Sequence, residues 1–232
     1  MKKYIFLMLL LPGWVSAQNR QIVDAASGED LSKIVSGQMQ YLFPEFTGGD
    51  VYYMGLPKGS GKLNYNMLLG EMQFIENGQV MSLDNVKDVI LVNIGNRRFY
   101  RFNNTEFVEE LMSTGKYQLR VRRKGNVAPH SKKGAYGMDS STSAITSYSS
   151  INSDSQQYNL TVEGKMLISL NYFYYLVGTN GKYALIKNVK TFTKQFPAYR
   201  AQIETFVKEH HTRFNNDEDL KVLLEYCNKI SN

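Results

Sequence analysis

Residues 48–78 read GGDVYYMGLPKGSGKLNYNMLLGEMQFIENG, and the rest of the chain is organised around this stretch. Apolar and polar residues alternate with a period of two over residues 51–53, 63–67 and 72–74, which is typical of strands with one buried face. Asn77-Gly78 favours a two-residue hairpin turn, because both central positions of that turn need a positive φ. The stretch therefore predicts antiparallel strands joined by short connections.

The same pattern continues downstream. Residues 89–102 predict a second hairpin that turns at Gly95-Asn96, and residues 106–123 predict a third. The apolar residues within 105–112 also fit a helical stripe, so a helix is an alternative there. We count seven or eight short strands in this part of the chain. They predict an antiparallel meander, curled or closed into a small barrel or sandwich so that no long edge is left bare.

The segment before this β-rich part is less regular. Ser27 suits the cap of a short helix whose apolar stripe lies within residues 31–35. Residues 39–43 then alternate in polarity and predict a strand that ends before Pro44.

Residues 1–17 have the order of a secretory signal peptide: two lysines, an apolar run and a small-residue tripeptide ending at Ala17. The apolar run, residues 4–11, is shorter than the roughly 20 residues that a membrane-spanning helix needs. No cysteine follows it as a lipoprotein would require. Cleavage is expected near Gln18, which leaves an exported chain that does not span the membrane. Loss of Lys2 and Lys3 lowers the formal charge by two, from +6 to +4.

The composition limits the class of protein further. The apolar content of 43% is sufficient for a sizeable core, in one large domain or two small ones. Cys227 is the only cysteine, so no intrachain disulfide forms and packing must stabilise the fold. The small excess of positive charge, together with export, makes nucleic acid a poor partner.

Residues 129–157 differ in composition from the rest. Nine serines and two threonines fall among these 29 residues. A polar segment of this kind buries too little surface to offset the entropy of ordering, so it predicts a linker or flexible loop, with a functional lid as the alternative.

The last part of the chain predicts strands at 159–163, 167–177 and 183–186, with a turn at Asn180-Gly181. Three helices follow, the first capped by Asn188 and the last by Asn216. The predicted fold is α+β: a β-rich antiparallel meander or small barrel or sandwich, then a β-hairpin and a C-terminal three-helix tail. The expected organisation comprises the signal peptide (1–17), a β-rich region (18–128), the serine-rich linker (129–157) and the hairpin with helices (158–232).

Several phrases carry a resemblance to a known group. They are FPEF at 43–46, LNYN at 63–66, GEMQFI at 70–75 and the tail from KQFP at 194–197 to LEYCN at 224–228. With them the chain resembles a group of exported proteins common in Bacteroidota that has no assigned activity. The resemblance implies an envelope location in a Gram-negative cell, and it supplies no catalytic residues.

Familiar catalytic motifs fail when their spacing is tested. Residues 55–62, GLPKGSGK, invite comparison with a phosphate-binding loop, but Leu56 stands where that motif needs glycine and Leu63 where it needs a hydroxyl. His210 and His211 are adjacent on a helix, so their side chains diverge by about 100° and do not face one metal ion. Cys227 falls on the apolar stripe of the last helix and is expected to be an inert core thiol. We therefore predict no catalytic residues, no metal site and no cofactor.

Paired carboxylates occur at Glu106, Glu109 and Glu110. Such charges are solvated surface groups far more often than an acid and base pair. The carboxylates are nevertheless what an enzymatic alternative would use.

Two features suggest a ligand surface. Alternation places Arg120, Arg122 and Lys124 on one face of a strand. More basic residues lie in a strand that is a candidate neighbour: Arg97, Arg98 and Arg101. Such a face would bind phosphate or carboxylate groups. The plainer interpretation is a solvated face whose charges keep the edge of the sheet from pairing with another chain.

The second feature is the aromatic run at 172–175, in which alternation would turn Tyr172 and Tyr174 to the outside. Exposed rings mark surfaces that bind protein or glycan, while burial of both strand faces is the alternative.

The sequence thus predicts an exported, periplasmic or secreted envelope protein that is a non-enzymatic binding or structural module. Its expected partner is an anionic envelope polymer or another envelope protein. The alternative is a hydrolase of cell-envelope polymers that uses surface carboxylates.

Overall fold

A computed structural model describes residues 20–130, 132–133, 139–140 and 161–231. The predicted signal peptide and most of the predicted serine-rich linker lie outside the described residues.

Eleven of the described strands form one sheet in which every pairing is antiparallel. A separate two-stranded ribbon pairs β10 (Lys132–Lys133) with β11 (Asp139–Ser140). The strands of the large sheet are Arg20–Asp30 (β1), Thr47–Tyr53 (β2), Gly59–Asn66 (β3), Glu71–Glu76 (β4), Gln79–Ser82 (β5), Val89–Ile94 (β6), Arg97–Arg101 (β7), Phe107–Ser113 (β8), Tyr117–Pro129 (β9), Thr161–Gly178 (β12) and Tyr183–Ile186 (β13).

The order across the sheet is β1-β12-β9-β8-β7-β6-β2-β3-β4-β5, with β13 added beside β12. The sheet is open, with β1 and β13 at one edge and β5 at the other. The predicted α+β class and antiparallel arrangement are confirmed.

The predicted hairpin turns are present. Asn77 and Gly78 have φ values of 50° and 80°, as a two-residue turn between β4 and β5 requires. Gly95, between β6 and β7, also has a positive φ of 56°. Strand β8 replaces the helix considered for residues 105–112. The helical alternative was wrong. The apolar residues of this segment fit the spacing of a helix as well as that of a strand, and cross-strand pairing on both sides of β8 decides for the strand.

Strand β12 unites the two β-rich parts of the chain. It was predicted as two strands but forms one of 18 residues. It pairs with β9 along one side and with β1 and then β13 along the other. The hairpin of the C-terminal region and the meander before it therefore share one sheet.

The N-terminal prediction needs correction. Residues 20–30 form β1, which was not predicted, and the helix expected up to residue 35 is only the short α1 (Leu31–Ile34). The strand predicted at 39–43 is wrong, because Met39 lies in the short helix α2 (Gly37–Gln40). Pairing of β1 with β12 outweighs the local preference of residues 27–30 for a helix start. A helix of only four residues is not stable by itself, so its position depends on packing and is hard to predict from the sequence.

The end of β3 and the loop after it contact the middle of the sheet. The Tyr65 hydroxyl donates to the carbonyl oxygens of Arg123 (2.9 Å) and Phe107 (3.2 Å). The Gly125 amide donates to the Met67 carbonyl at 2.8 Å. The sheet is thus strongly curled, although its hydrogen-bonded path stays open.

The asparagines of the LNYN phrase have local structural roles. The side chain of Asn64 accepts a hydrogen bond from the Phe43 amide and donates one to the Phe43 carbonyl, so it pairs with the chain as a neighbouring strand would. Asn66 accepts from the amides of Leu68 and Leu69 and fixes the turn that follows β3. Both asparagines are buried.

Three helices follow the sheet: α3 (Val189–Thr193), α4 (Arg200–Glu209) and α5 (Asp217–Ser231). Short 3-10 turns occupy Val86–Asp88 and Pro197–Tyr199. The predicted caps are confirmed: Asn188 forms a capping box with Thr191, and the Asn216 side chain accepts from the Asp219 amide.

Two apolar clusters fill the concave side of the sheet. One packs α1 and α2 against the curled strands around Tyr65 and Phe99, whose ring centroids are 5.6 Å apart. The other packs α3, α4 and α5 on β9, β12 and β13, around Leu176, Phe192 and Leu223. None of the helices in the described part of the chain combines the length and apolar character needed to cross a membrane.

Candidate ligand-binding site

The basic residues of β7 and β9 separate onto the two faces of the sheet. The strands are not direct neighbours as the sequence suggested, because β8 lies between them. We call the side covered by the helices the inner face and the opposite side the outer face. Arg123 is on the inner face, and Arg120, Arg122 and Lys124 are on the outer face, as alternation requires. Strand β9 is central in the sheet, so its basic residues do not protect an edge.

The inner face contains a buried ion cluster that joins the sheet to helix α5. Arg123 pairs with Glu109 of β8 and, at 2.7 Å, with Asp217 in the first turn of α5. The Tyr174 hydroxyl also donates to Asp217 at 2.7 Å. Arg97 approaches the other oxygen of Glu109 at 3.3 Å. Glu109, expected to be a solvated charge, is therefore a buried anchor for the helical tail.

The outer face has a row of directly paired residues that crosses five strands. Arg98 of β7 faces Glu110 of β8, and Glu110 faces Arg120 of β9. The row continues through Tyr175 of β12 to Leu185 of β13. Around this row lies a group that we call the outer cluster. Its members are Arg98, Glu106, Glu110, Arg120, Arg122, Lys124 and the rings of Tyr100, Phe102, Phe173, Tyr175 and Tyr183.

Both carboxylates of the outer cluster contact cations. Glu106 binds Arg122 at 3.0 Å and Lys124 at 2.6 Å. Burial alone would raise the pKa of Glu106, but the hydrogen bond from Lys124 and the charge of Arg122 outweigh it and hold that pKa below its usual value. Glu110 pairs with Arg98 at 3.1 Å.

Arg120 differs from the other cations of the outer cluster. Its residue surface is only 8% exposed, yet no carboxylate forms an ion pair with it among the described residues. Its guanidinium donates instead to two neutral groups, the Tyr183 hydroxyl and the side-chain oxygen of Gln118. The guanidinium carbon lies 3.8 Å from the ring centroid of Tyr100. Its Nε atom is buried, and no described residue accepts a hydrogen bond from it.

Aromatic rings surround these cations. The Arg122 guanidinium lies between the rings of Phe102 and Phe173, 4.9 Å and 4.8 Å from their centroids. Phe102 also contacts Tyr175 and Tyr183 at centroid distances of 5.3 Å and 5.4 Å. Apart from Tyr175, these rings are only partly buried. The outer face therefore presents flat apolar surfaces alternating with guanidinium groups.

The structure divides the residues that the sequence proposed for ligand binding. Arg98, Arg120, Arg122 and Lys124 come together in the outer cluster, while Arg97 lies on the inner face. Arg101 is exposed at the end of β7.

The two proposed tyrosines also belong to the inner face. Tyr174 is 1% exposed beneath α5, and Tyr172 packs against both apolar clusters. The rings that alternation turns outward are Phe173 and Tyr175. All four positions of the run are aromatic, so the sequence could not show which pair faces the helices.

Sequence reasoning also missed Tyr100, Phe102 and Tyr183. They come from two hairpins far apart in the chain, and no spacing relates them to Arg120 before the sheet order is known. One weak signal was present for Tyr100: it lies two residues after Arg98, so the two side chains are expected on the same face of the strand.

The structure also places the other reactive groups of the described residues. Burial raises the pKa of the Cys227 thiol to about 12, as expected for a core thiol. Within the described ranges, no three His, Cys, Asp or Glu side chains are grouped as a metal site would need. A shallow cavity of about 520 Å³ between α4 and α5 is bordered by the stacked rings of Phe206, His210 and Tyr226.

A scan against protein-family models and searches of curated proteins and of solved structures gave no match to this chain. The resemblance to exported proteins of Bacteroidota stays a prediction.

Proposed function

We propose that this chain is an exported, non-enzymatic binding module of the cell envelope, and that its outer face takes an anionic polymer. The observation that supports this most directly is the charge of the outer cluster, which contains four cations and two carboxylates. Among the described residues, no carboxylate pairs with Arg120, although Arg120 is almost fully buried. A buried guanidinium gains more free energy from binding an anion than a solvent-exposed guanidinium does, because water screens the exposed charge.

The position of the cluster favours binding over chemistry. The cations lie on central strands; the three arginines lie over aromatic rings and Lys124 pairs with Glu106, so their geometry is fixed before a ligand arrives. Fixed donors lose little side-chain entropy on binding. The N-terminal residues 1–17 support export, because their pattern is that of a signal peptide.

The carboxylates of the cluster argue against the hydrolase alternative. Glycoside hydrolysis needs one carboxylic acid whose pKa is raised, so that it donates a proton. Glu106 has a lowered pKa and is occupied by Arg122 and Lys124. Glu71 does have a pKa raised by burial, but its hydrogen bond is to the Ser82 hydroxyl and not to a second carboxylate.

The test is retention on an immobilised acidic polysaccharide. Arg122→Ser removes an outer-face charge, and Lys124 still holds Glu106, so the fold is expected to survive. The variant should elute at lower salt than wild type. Arg213→Ser is the matched control, because it removes the same charge from an exposed pair with Asp219 near the start of α5. Equal elution of wild type and both variants would refute the proposed surface.

A separate assay addresses the enzymatic alternative. The purified protein is incubated with cell-wall and glycan substrates, beside the variants Glu71→Gln and Glu106→Gln. We expect no turnover by any of the three proteins. Robust turnover that is lost in either variant would establish the hydrolase instead.

A further inference from the structure

We propose that the ligand of the outer cluster is a carboxylate-bearing sugar polymer, and that Arg120 is the residue that takes the sugar carboxylate. This inference rests on the proposed function and adds the chemical class of the ligand. It depends on which polar atoms of the cluster are unused and on what surrounds them.

The unused donors belong to two guanidinium groups on one strand face. The Nε atoms of Arg120 and Arg122 are both buried, and neither has a hydrogen-bond partner in the part of the chain that the structure describes. The two residues are separated by one position of β9, which corresponds to about 7 Å along the strand. Arginine matches the planar shape of a carboxylate, since two parallel N–H groups meet its two oxygens.

The partners that Arg120 now has are replaceable. The Tyr183 hydroxyl and the Gln118 amide oxygen are neutral acceptors. A guanidinium can meet both oxygens of a carboxylate at once and gains the attraction of the opposite charge, which a neutral oxygen does not supply. Tyr183 and Gln118 sit on β13 and β9 at the rim of the cluster, so an entering carboxylate has only two side chains to displace.

The cluster also offers an unused acceptor. Glu110 pairs with Arg98 through one carboxylate oxygen, and the Tyr100 hydroxyl interacts with the same carboxylate group. The other oxygen, Oε2, is buried, and no described residue forms a hydrogen bond of standard geometry with it. Glu110 is the direct cross-strand neighbour of Arg120. A sugar acid carries hydroxyl groups beside its carboxylate, and such a hydroxyl donates to Glu110 while the carboxylate binds Arg120. A phosphate group has no such donor when fully ionised, so it would leave the Glu110 oxygen without a hydrogen bond.

The rings complete the match to a sugar. Phe102, Phe173 and Tyr183 are partly exposed and flank the two guanidinium groups. Flat apolar rings cover the C–H face of a pyranose, and this contact does not depend on charge. A site of donors, one acceptor and rings suits an acidic sugar better than it suits an anion alone.

The experiment is titration calorimetry of the purified protein with three probes: oligogalacturonate, its fully methyl-esterified form and inorganic polyphosphate. Oligogalacturonate should bind to wild-type protein, and the neutral ester at least about tenfold more weakly, because the charged hydrogen bonds to Arg120 are lost. Arg120→Gln should weaken oligogalacturonate binding by about tenfold or more. Arg213→Gln, the matched control, should stay within about twofold of wild type.

The outcomes separate this inference from the proposed function. Binding of polyphosphate without binding of oligogalacturonate would overturn the sugar assignment and leave the anionic-polymer proposal standing. Equal affinity for the acid and its ester would overturn the role of Arg120, and this comparison needs only wild-type protein. Failure of both oligogalacturonate and polyphosphate to bind would refute the inference and the proposed function together.

Discussion

Removal of the Arg123 guanidinium should weaken the attachment of helix α5 to the sheet and lower stability substantially. Arg123 is buried between Glu109 and Asp217, so Arg123→Met leaves Glu109 buried without its main counterion. Breaking such a buried pair costs about 3–5 kcal/mol. Arg97 still approaches Glu109 at 3.3 Å, and Asp217 is 30% exposed and gains water, so the lower end of that range, about 3 kcal/mol, is expected.

For a chain of this length, 1 kcal/mol shifts the melting temperature by about 2–4 °C, so the variant should melt about 6–12 °C below wild type. Thermal unfolding followed by circular dichroism measures the shift. Arg213→Met, in an exposed pair, should leave the melting temperature nearly unchanged.

A second variant separates loss of charge pairing from loss of packing. Adding Glu109→Leu to Arg123→Met removes the uncompensated charge and should recover most of the lost stability, because buried pairs are often replaceable by apolar residues. An Arg123→Met protein that melts within about 2 °C of wild type would refute the argument that this cluster holds α5. A double variant less stable than the single one would show that the loss comes from packing.

Three further outcomes follow from particular contacts. Gly125→Ala should destabilise the protein by about 1–3 kcal/mol, because the new Cβ would lie 2.7 Å from the Cα of Leu68. Gly115→Ala is the control, because a Cβ there meets nothing within 4 Å. Equal denaturant midpoints for the two variants would contradict the close approach at Gly125. Burial raises the pKa of Glu71 in the folded state, so its contribution to stability is present below its unfolded pKa and is lost as pH rises through the folded value. Glu71→Gln should therefore raise the melting temperature near pH 7.5 and not near pH 4, and a gain of the same size at both values would be inconsistent with this. The Cys227 thiol should react with a thiol-labelling reagent only when the protein unfolds, because burial raises its pKa to about 12 and leaves it no exposed surface. Rapid labelling of the native protein would disprove this.

Local signals in the sequence were sufficient for the hairpins and the caps. Asn77-Gly78 and Gly95-Asn96 mark their turns because Asn77, Gly78 and Gly95 adopt a positive φ, which few residues other than glycine and asparagine accept. Asn188 and Asn216 mark helix starts because their side chains satisfy amides that the helix leaves unpaired. The even spacing of Arg120, Arg122 and Lys124 likewise fixed their common face, since side chains alternate along any strand.

The candidate site could be predicted only in part, because alternation along a strand is also a local signal. Alternation shows which residues of one strand share a face, but it does not show which strand lies beside it or which face meets the helices. Hence Tyr172 and Tyr174 were proposed as outward rings, whereas Phe173 and Tyr175 occupy that position. The insertion of β8 between β7 and β9 also turned Glu106, Glu109 and Glu110 from expected surface charges into buried partners of arginine.

By itself the sequence determined most strands of the meander, the turns between them, the caps of the helical tail and the absence of an intrachain disulfide. Each of these depends on residues close together in the chain or on composition. Strand β8 is the exception, because pairing with both of its neighbours decided between strand and helix. The tertiary structure alone decided the pairing of β1 with β12, the division of the basic residues between two faces and the isolation of Arg120 among rings. Those features arise from contacts between segments up to about 150 residues apart, whose free energy exceeds local preference but leaves no periodic trace in the sequence.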